Sequence, residues 1–403
     1  MSVTAAEGFV AAGAHCGIKR LRPDLALIAT DDGRPAACAA VFTTNRFAAA
    51  SVQTSRARIA ANGGRAAVVV VNSGNANAGT GAQGREDAET MCRHAAAAVG
   101  AEEADALVCS TGVIGRPLPM GKILDGIATL APTLAKDGAD DAARAILTTD
   151  LKPKQVVVQA DGLTLGGMAK GSGLLAPNMA TMLCFLTTDA QASPETLSEI
   201  LNDVVRDTCN ALSLDGANST NDTVVLMASG RRGPADKTAL AAALRAACED
   251  LALQLARDAE GRTKVVQVAV TGAADDAQAR LVARCVAENQ LVKCSWRGGN
   301  PLWGRILAEA GACGVAFDPD HASVSFGGVR VCGVIGLREC LGLRLHGRGR
   351  GRGSRRGVGV ERGRLADHRV ARLGAGRHRI GRARIPSRRV AANLVLEAEP
   401  QAQ

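Results

Sequence analysis

Apolar residues recur along this chain in short runs separated by Gly, Asn, Asp and Pro, and the spacing within each run predicts its element. LALIAT from Leu25 and ACAAVF, which ends shortly before Asn45, flank Asp31-Asp32-Gly33-Arg34-Pro35, the composition of a strand pair joined by a turn. The run from Ala66 to Val71 is β-branched enough for a buried strand, and NSGNANAGTG after it reads as loop. Helical spacing covers Glu86 to Val99 and Met120 to Ala135. Between them a short strand, Ala106 to Ser110, delivers Thr111-Gly112-Val113-Ile114-Gly115.

Lys154 to Gln159 and Leu163 to Met168 alternate as strands, and the Gly-rich KGSGLLAPN leads into a further run, Met179 to Leu186. Pro194 to Leu212 is predicted helical, with Ser193 as N-cap and Glu195 placed to suit the helix dipole. A strand over Thr223 to Met227, a helix over Asp236 to Ala259, a strand over Lys264 to Thr271 and a helix over Asp275 to Asn289 complete the pattern. Strands come in runs and the helices are long, so α+β layers fit better than a regular βαβ alternation. After Arg338 the order stops: LHGRGRGRGSRRGVGVERGRLADHRVARLGAGRHRIGRARIPSRR holds neither period, and its Gly and like charges oppose compaction.

Composition sharpens this picture. The 403 residues, 47% of them hydrophobic, suffice for a substantial core, but aromatic residues are only 2% and Tyr is absent, so packing must rest on Val, Leu, Ile and Ala. The formal charge of +9 is unevenly placed. Residues 338–403 hold 17 Arg, no Lys and 5 acidic residues, a net charge of +12, whereas residues 1–337 carry −3. Single-strand binders interleave aromatic residues for stacking, and this tail has none, which favours a solvated tail over a nucleic-acid arm. No apolar run reaches the roughly 18 to 20 residues that span a bilayer, and the first nineteen residues lack a secretory pattern, so a cytoplasmic protein is expected. The 12 Cys are scattered singly, with no CxxC pair and no His spaced as a metal partner, so neither disulfide nor structural zinc is expected.

The candidate chemistry lies in KGSGLLAPNMATMLCFLTTD, from Lys170 to Asp189. Flexible, small residues, a Pro and then Ala180 joined to Thr181 at the mouth of an apolar strand are what internal cleavage requires: the Thr181 hydroxyl must approach the Ala180 carbonyl while that peptide distorts. Once cut, Thr181 would carry a hydroxyl and an α-amine of reference pKa about 7.7 to 8.0, nucleophile and base in one residue. Read by spacing alone, Thr181 is equally a strand threonine following a loop.

Several segments together resemble the ornithine acetyltransferase family, the bifunctional glutamate N-acetyltransferases of arginine biosynthesis. They include GFVAAGAHCGIK, VVNSGNANAGTG, CSTGVIGRPLPM, ILTTDLKPK, GGMAKGSGLLAPNMATMLCFLTTDA and SLDGANSTNDTVVLMASG, in the family's order from about Gly8 to Gly336. The resemblance implies an Ntn-like fold of stacked helix and sheet layers, made as a precursor and split between Ala180 and Thr181. An α chain of residues 1–180 and a β chain of residues 181–337 would result, usually paired as a heterotetramer, with residues 338–403 as an atypical tail. It implies acetyl transfer from N-acetylornithine to glutamate through an ester on Thr181, without a cofactor or metal. Some members also use acetyl-CoA, and the sequence does not discriminate. Thr111 and Gly112 match the family's oxyanion-stabilising positions, and Thr148, Lys170 and Glu260 match substrate-binding positions. A Lys and a Glu suit the α-carboxylate and amino group of an amino acid. The polar loops Asn72 to Gly81 and Asp215 to Asp222 frame a pocket or are simply turns.

The sequence also departs from the family. Nothing after Arg338 resembles its C-terminal segment, which supplies an Asn and a Thr or Ser to the substrate, and the tail's composition is what a shifted frame in GC-rich coding sequence produces. Asn300-Pro-Leu-Trp-Gly-Arg305 stands where Asp-Pro-Asn-Trp-Gly-Arg is usual, and Cys294 where Thr is usual. Two other functions stay open on sequence: an Ntn-type aminopeptidase or amidohydrolase in which water accepts the acyl group, and a non-catalytic protein with a polyanion-binding tail.

Overall fold

In the computed structural model, which describes residues 2–173, 182–300, 302–333, 342–345, 360–363 and 393–399, the run Val68 to Val71 is apolar on both faces because both are covered. Val69 and Val71 pack between two sheets, and Val68 and Val70 pack against helices on the other side. Successive side chains of a strand point to opposite faces, so an unbroken apolar run marks a strand buried twice.

The chain divides into two compact units, Met1–Glu260 and Gly261–Gln403. The first opens with β1 (Phe9–Ala14), β2 (Leu25–Thr30), β3 (Ala36–Phe42), α1 (Ala50–Ala61), β4 (Arg65–Ala66), β5 (Val68–Asn75), α2 (Gly81–Val99) and β6 (Ala106–Val113). Helices α3 (Met120–Leu130) and α4 (Ala139–Ala145) precede β7 (Lys154–Ala160), β8 (Leu163–Lys170), β9 (Leu183–Thr188), α5 (Pro194–Asp207), β10 (Thr223–Ala228) and α6 (Lys237–Arg257). One sheet runs β1-β2-β5-β6 and the other β4-β3-β10-β9-β8-β7. Phe9, Ile28, Val71 and Leu107 of the first share a core with Met168, Leu183, Phe185 and Val225 of the second. Helices α2 and α3 cover the first sheet's outer face through Met91, Ile123 and Ile127, and α5 and α6 cover the second's through Leu197, Leu201, Leu244 and Leu251. The result is four layers, helix, sheet, sheet, helix, the stacked α+β arrangement expected of an Ntn-like fold.

Small residues make up for the scarcity of aromatics by letting backbones touch. Ala139, Ala142, Ala143 and Ala145 of α4 are all fully buried. A Cβ on Gly13 of β1 would lie 2.2 Å from the Asp141 carbonyl oxygen, and one on Gly138 would lie 1.9 Å from that of Ala11. Helix α1 has no apolar stripe and was not foreseen from the sequence. Its buried face includes Ser51, Thr54 and Ser55, and the Ser55 hydroxyl both donates to the Val108 carbonyl (2.7 Å) and accepts from the Val108 N–H (2.9 Å), closing the edge of β6.

Two expectations are corrected. LALIAT and ACAAVF do not pair: β2 lies between β1 and β5, whereas β3 lies between β4 and β10 in the other sheet. The turn chemistry between them is present, with the Arg34 N–H bonded to Asp32 Oδ1 at 3.0 Å, but a turn does not choose the sheet that the chain enters next. Helix α5 ends at Asp207 rather than Leu212, because the Thr208 hydroxyl bonds back to the Val204 carbonyl at 2.6 Å and the chain tightens into a 3-10 turn, Cys209–Ala211. The Ser193 cap is as expected, accepting from the Thr196 N–H at 3.2 Å.

The second unit comprises β11 (Val265–Thr271), α7 (Asp276–Glu288), α8 (Gln290–Arg297), α9 (Trp303–Ala312), β12 (Ser323–Phe326), β13 (Val329–Cys332), β14 (Gly342–Leu345), β15 (Val360–Gly363) and β16 (Asn393–Glu399). Val282, Val286, Trp296, Ile306 and Phe326 form its core. Its main sheet runs β11-β16-β12-β13, so a strand from the chain's last residues stands between two from the family-like part, which the sequence pattern did not indicate. Among the described residues no helix is long and apolar enough to cross a membrane.

Leu302 caps α9 at φ +29° with no side-chain bond to the helix. A leucine there is strained and leaves the first helical N–H groups without a side-chain acceptor, whereas Asn tolerates left-handed backbone and caps well. Leu302→Asn should therefore raise unfolding stability by about 1 kcal/mol, measured by urea denaturation; an unchanged or lower midpoint would refute this account of the position.

Candidate active site

The ends of β6 and β8 and the starts of β9 and β10 meet at one end of the two-sheet core. Register fixes this convergence: Lys170, the last residue of β8, pairs with Leu183, the first of β9, and Leu183 pairs in turn with Thr223, the first of β10. The sequence pattern stopped β8 at Met168, but the strand carries Lys170 to its final position and into the protein interior, where the residue is 1% exposed.

Lys170 reaches from the second sheet to the first. Its Nζ donates to Thr111 Oγ1 at 3.3 Å and lies 3.8 Å from Asp150 Oδ2. Burial lowers the ammonium's pKa, assisted by the nearby Lys154 charge and opposed by the carboxylates of Asp150, Asp222 and Glu260. Asp150 is itself buried. Burial alone would raise its carboxyl, but the Lys170 and Lys154 ammonium groups and the Gly171 N–H hold it below the usual range. Asp150 also acts as a backbone clamp: Oδ1 accepts from Gly171 N (2.7 Å) and Lys154 Nζ (2.6 Å), and Oδ2 from Thr148 N (3.1 Å). Lys154 bonds Asp258 as well, so two ammonium groups and two carboxylates neutralise one another here.

Thr148 is thus brought to this cluster, half-buried. Next to it, the Leu147 carbonyl accepts from Lys19 Nζ at 2.6 Å; burial has lowered that amine's pKa to about 8. Glu260 is exposed, and its N–H bonds the Ser172 carbonyl at 2.7 Å; a Cβ on Gly173 would stand 3.2 Å from its carboxylate, so the two approach closely. Thr111 is buried at the end of β6. Gly112 beside it has φ +135°, and a Cβ there would come within 2.3 Å of the Gly74 carbonyl carbon, so only glycine fits. Thr111, Gly112, Thr148, Lys170 and Glu260 therefore all lie in the first unit, and Lys170 interacts with Thr111 and Glu260 directly or by charge. Ala180 and Thr181 lie outside the described residues. Their covalent neighbour Met182 is described: its N–H bonds Asp222 Oδ1 at 2.8 Å, and its carbonyl accepts from the Thr223 N–H at 3.0 Å.

Asp150, Lys154, Asp222 and Lys19 were not singled out from sequence. Asp150 and Asp222 both fall in the quoted segments ILTTDLKPK and STNDT, where a carboxylate beside an apolar strand was the available signal. The polar loops serve mainly their own turns. Asn72 Nδ2 bonds the Asn75 carbonyl and Asn77 Nδ2 the Gly84 carbonyl, both at 2.8 Å. Asn221 does more, since its Nδ2 bonds the Ala76 and Ser110 carbonyls at 2.6 and 2.8 Å and so ties the entry of β10 to the other sheet. Among the described residues there is no group of three His, Cys, Asp or Glu that could hold a metal ion.

Comparison with known proteins agrees with this frame. The profile of the ArgJ family matches residues 10–337. The arginine biosynthesis bifunctional protein ArgJ of Thermobifida fusca is 46% identical over 333 residues, 82% of this chain and 86% of that protein. The Mycobacterium leprae protein of the same name is 47% identical over 340 residues, 82% and 83% of the two chains. A crystal structure of ornithine acetyltransferase complexed with ornithine, from Mycobacterium tuberculosis, is 42% identical, covers 44% of this chain and 94% of that one, and has a TM-score of 0.42. With the profile spanning most of its length and such identity to relatives over four-fifths of it, the chain belongs to the ArgJ family.

Proposed function

We propose that this chain is a precursor that cleaves itself between Ala180 and Thr181 and then transfers an acetyl group from N2-acetylornithine to glutamate as an ester on Thr181. The observation that carries the reading is the buried Lys170 ammonium bonded to Thr111 Oγ1 at the mouth of β9, the strand that Thr181 leads into. Because the Thr111 hydroxyl oxygen accepts from Lys170, its own proton is turned to another acceptor. A hydroxyl held in that way, buried at the end of β6, is a suitable donor to a developing oxyanion, with the Gly112 N–H as its partner.

In the first half-reaction the Thr181 hydroxyl adds to the acetyl carbonyl, the new α-amine takes the proton, and ornithine leaves as its amine. In the second, the glutamate amine attacks the ester and Thr181 is regenerated. Both substrates are α-amino acids. Lys170 suits their carboxylate, Glu260 suits a substrate amine, and Thr148 supplies a hydrogen-bonding contact between them. The same pocket accepting donor product and acceptor in turn is what a two-step exchange needs. Acetyl-CoA as a second acetyl donor, assembly of the cleaved chains as a heterotetramer and a cytoplasmic location belong to the same reading.

The decisive measurement is the mass and N-terminal sequence of the purified protein. Wild type should give a fragment beginning Thr-Met-Leu-Cys; Thr181→Ala should remain one chain of 41.2 kDa and form no acetyl-enzyme, whereas Thr181→Ser should still mature. Only full-length wild-type polypeptide in fresh material would end the proposal.

Two further substitutions separate binding from chemistry. Lys170→Met removes a charge-assisted bond and should lower kcat/KM by roughly 10- to 100-fold, mainly through KM for glutamate; an unaltered KM would remove Lys170 from substrate recognition. Thr111→Ala should lower kcat by about 10²- to 10³-fold with KM nearly unchanged, and a kcat within twofold of wild type would exclude Thr111 as an oxyanion donor.

A further inference from the structure

The proposed exchange poses a problem of charge. N-acetylornithine carries a side-chain ammonium and glutamate a side-chain carboxylate, yet on that scheme one pocket takes them in turn. Glu260 is an anion for the first. Lys170 is given to the α-carboxylate that both substrates share, and Lys154 is spent on Asp150 and Asp258. The second carboxylate of glutamate needs a further cation, since a carboxylate withdrawn from water without a partner is costly.

Lys19 has the position for it. Its Nζ donates to the Leu147 carbonyl, one residue before Thr148, and to the Pro23 carbonyl, both at 2.6 Å. Its stem crosses Gly74, where a Cβ would lie 2.8 Å from Lys19 Cγ, and Gly74 is the register partner of Gly112 on the neighbouring strand. The side chain therefore runs from beside one proposed oxyanion donor to beside one proposed substrate contact. The loop that presents it is pinned by Asp24, which is fully buried and accepts from the N–H groups of Cys16, Gly17 and Lys19 at 2.6, 3.2 and 2.8 Å.

The ammonium itself is unmatched. Two neutral carbonyls take two of its three N–H groups, and among the described residues it forms no ion pair. The residue is half-buried, so water reaches it only in part. Burial lowers its pKa to about 8; the Asp24 carboxylate opposes that shift, the Lys170 and Arg22 charges add to it, and Asp150 opposes it. A cation short of water, beside another cation and with a donor unspent, is a place that an anion stabilises.

Resting on the acetyl-transfer reading above, we infer that Lys19 is a specificity-determining residue that receives the side-chain carboxylate of glutamate. Its third N–H gives that carboxylate a charge-assisted hydrogen bond while Lys170 holds the α-carboxylate. The acceptor is thereby selected for its second negative charge. Glutamine, of nearly the same shape but without that charge, is the acceptor that Lys19 disfavours.

The test compares wild type, Lys19→Met and Lys19→Arg. Acetyl transfer from N-acetylornithine to glutamate and to glutamine is measured, together with calorimetric binding of each amino acid. Wild type should prefer glutamate. Lys19→Met should lose about 10- to 100-fold in kcat/KM for glutamate, through KM, and as much in glutamate binding. Its use of glutamine should not change, its KM for N-acetylornithine should not rise, and Lys19→Arg should keep most of the preference. Equal losses for glutamate, glutamine and N-acetylornithine overturn the assignment, because Lys19 then only supports the Leu147 carbonyl. A preference for glutamate over glutamine that survives in Lys19→Met overturns it as well. A wild type that binds glutamate over glutamine through Lys19 but transfers no acetyl group overturns the acetyl-transfer reading and supports the role of Lys19.

Discussion

An ammonium group withdrawn from water has to be neutralised by the protein, and the way Lys170 is neutralised organises the site. Its side chain leaves the last position of β8, crosses the seam between the two sheets and ends on Thr111 of β6. Asp150 balances it, Lys154 shares Asp150, and Asp258 balances Lys154. Such a cluster contributes little net stability, because desolvation of each charge offsets most of the attraction. What it does contribute is position. Asp150 fixes the amides of Thr148 and Gly171 while it neutralises Lys170, so three of the positions proposed to meet substrate, Thr111, Thr148 and Lys170, are set by one carboxylate and one ammonium.

That arrangement needs two sheets held face to face without bulky side chains between them. The inter-sheet core is built from Val, Leu, Ile, Met, Ala, two Cys and two Phe, and α4 lies on β1 through Ala and Gly contacts that bring backbone against backbone. Polar groups close the remaining gaps. Ser55 satisfies Val108 at the edge of β6, and Asn221 bonds the Ala76 and Ser110 carbonyls from the other sheet. These are short side chains whose hydrogen bonds replace what a larger apolar residue would do by packing, with the added effect that the geometry is directional.

The layers were legible in the sequence because doubly buried strands leave unbroken apolar runs, and Val68 to Val71 or Leu183 to Leu186 can hardly be anything else. Helix starts were legible where a side chain does the capping, as at Ser193 and Asp236. Sheet membership was not, since β2 and β3 have the local composition of a hairpin, while β2 pairs with residues 39 to 47 positions away in β5 and β3 with residues 181 to 191 positions away in β10. Helix α1 was hidden because its buried face is partly Ser and Thr. Of the proposed site residues, Thr111, Gly112, Thr148, Lys170 and Glu260 were named by family resemblance alone, while the buried Asp150 and Asp222 beside them were not named at all: a single Asp in a polar segment carries no sign of whether water reaches it.

The departures from the family pattern fall differently from the chemistry. Cys294, Asn300 and Leu302, and everything after Arg338, belong to the second compact unit, whereas the described site residues, from Lys19 to Glu260, belong to the first. Leu302 shows what one departure costs, since it occupies a left-handed cap for which Asn is the better fit. The tail brings no counterpart of the family's C-terminal Asn and Thr or Ser, although β16 still enters the sheet between β11 and β12. The proposed nucleophile Thr181 and the proposed oxyanion donors Thr111 and Gly112 all come from the part of the chain before residue 260. Substrate binding draws on more, and the loss of those C-terminal groups should fall on affinity for the amino acid rather than on formation of the nucleophile.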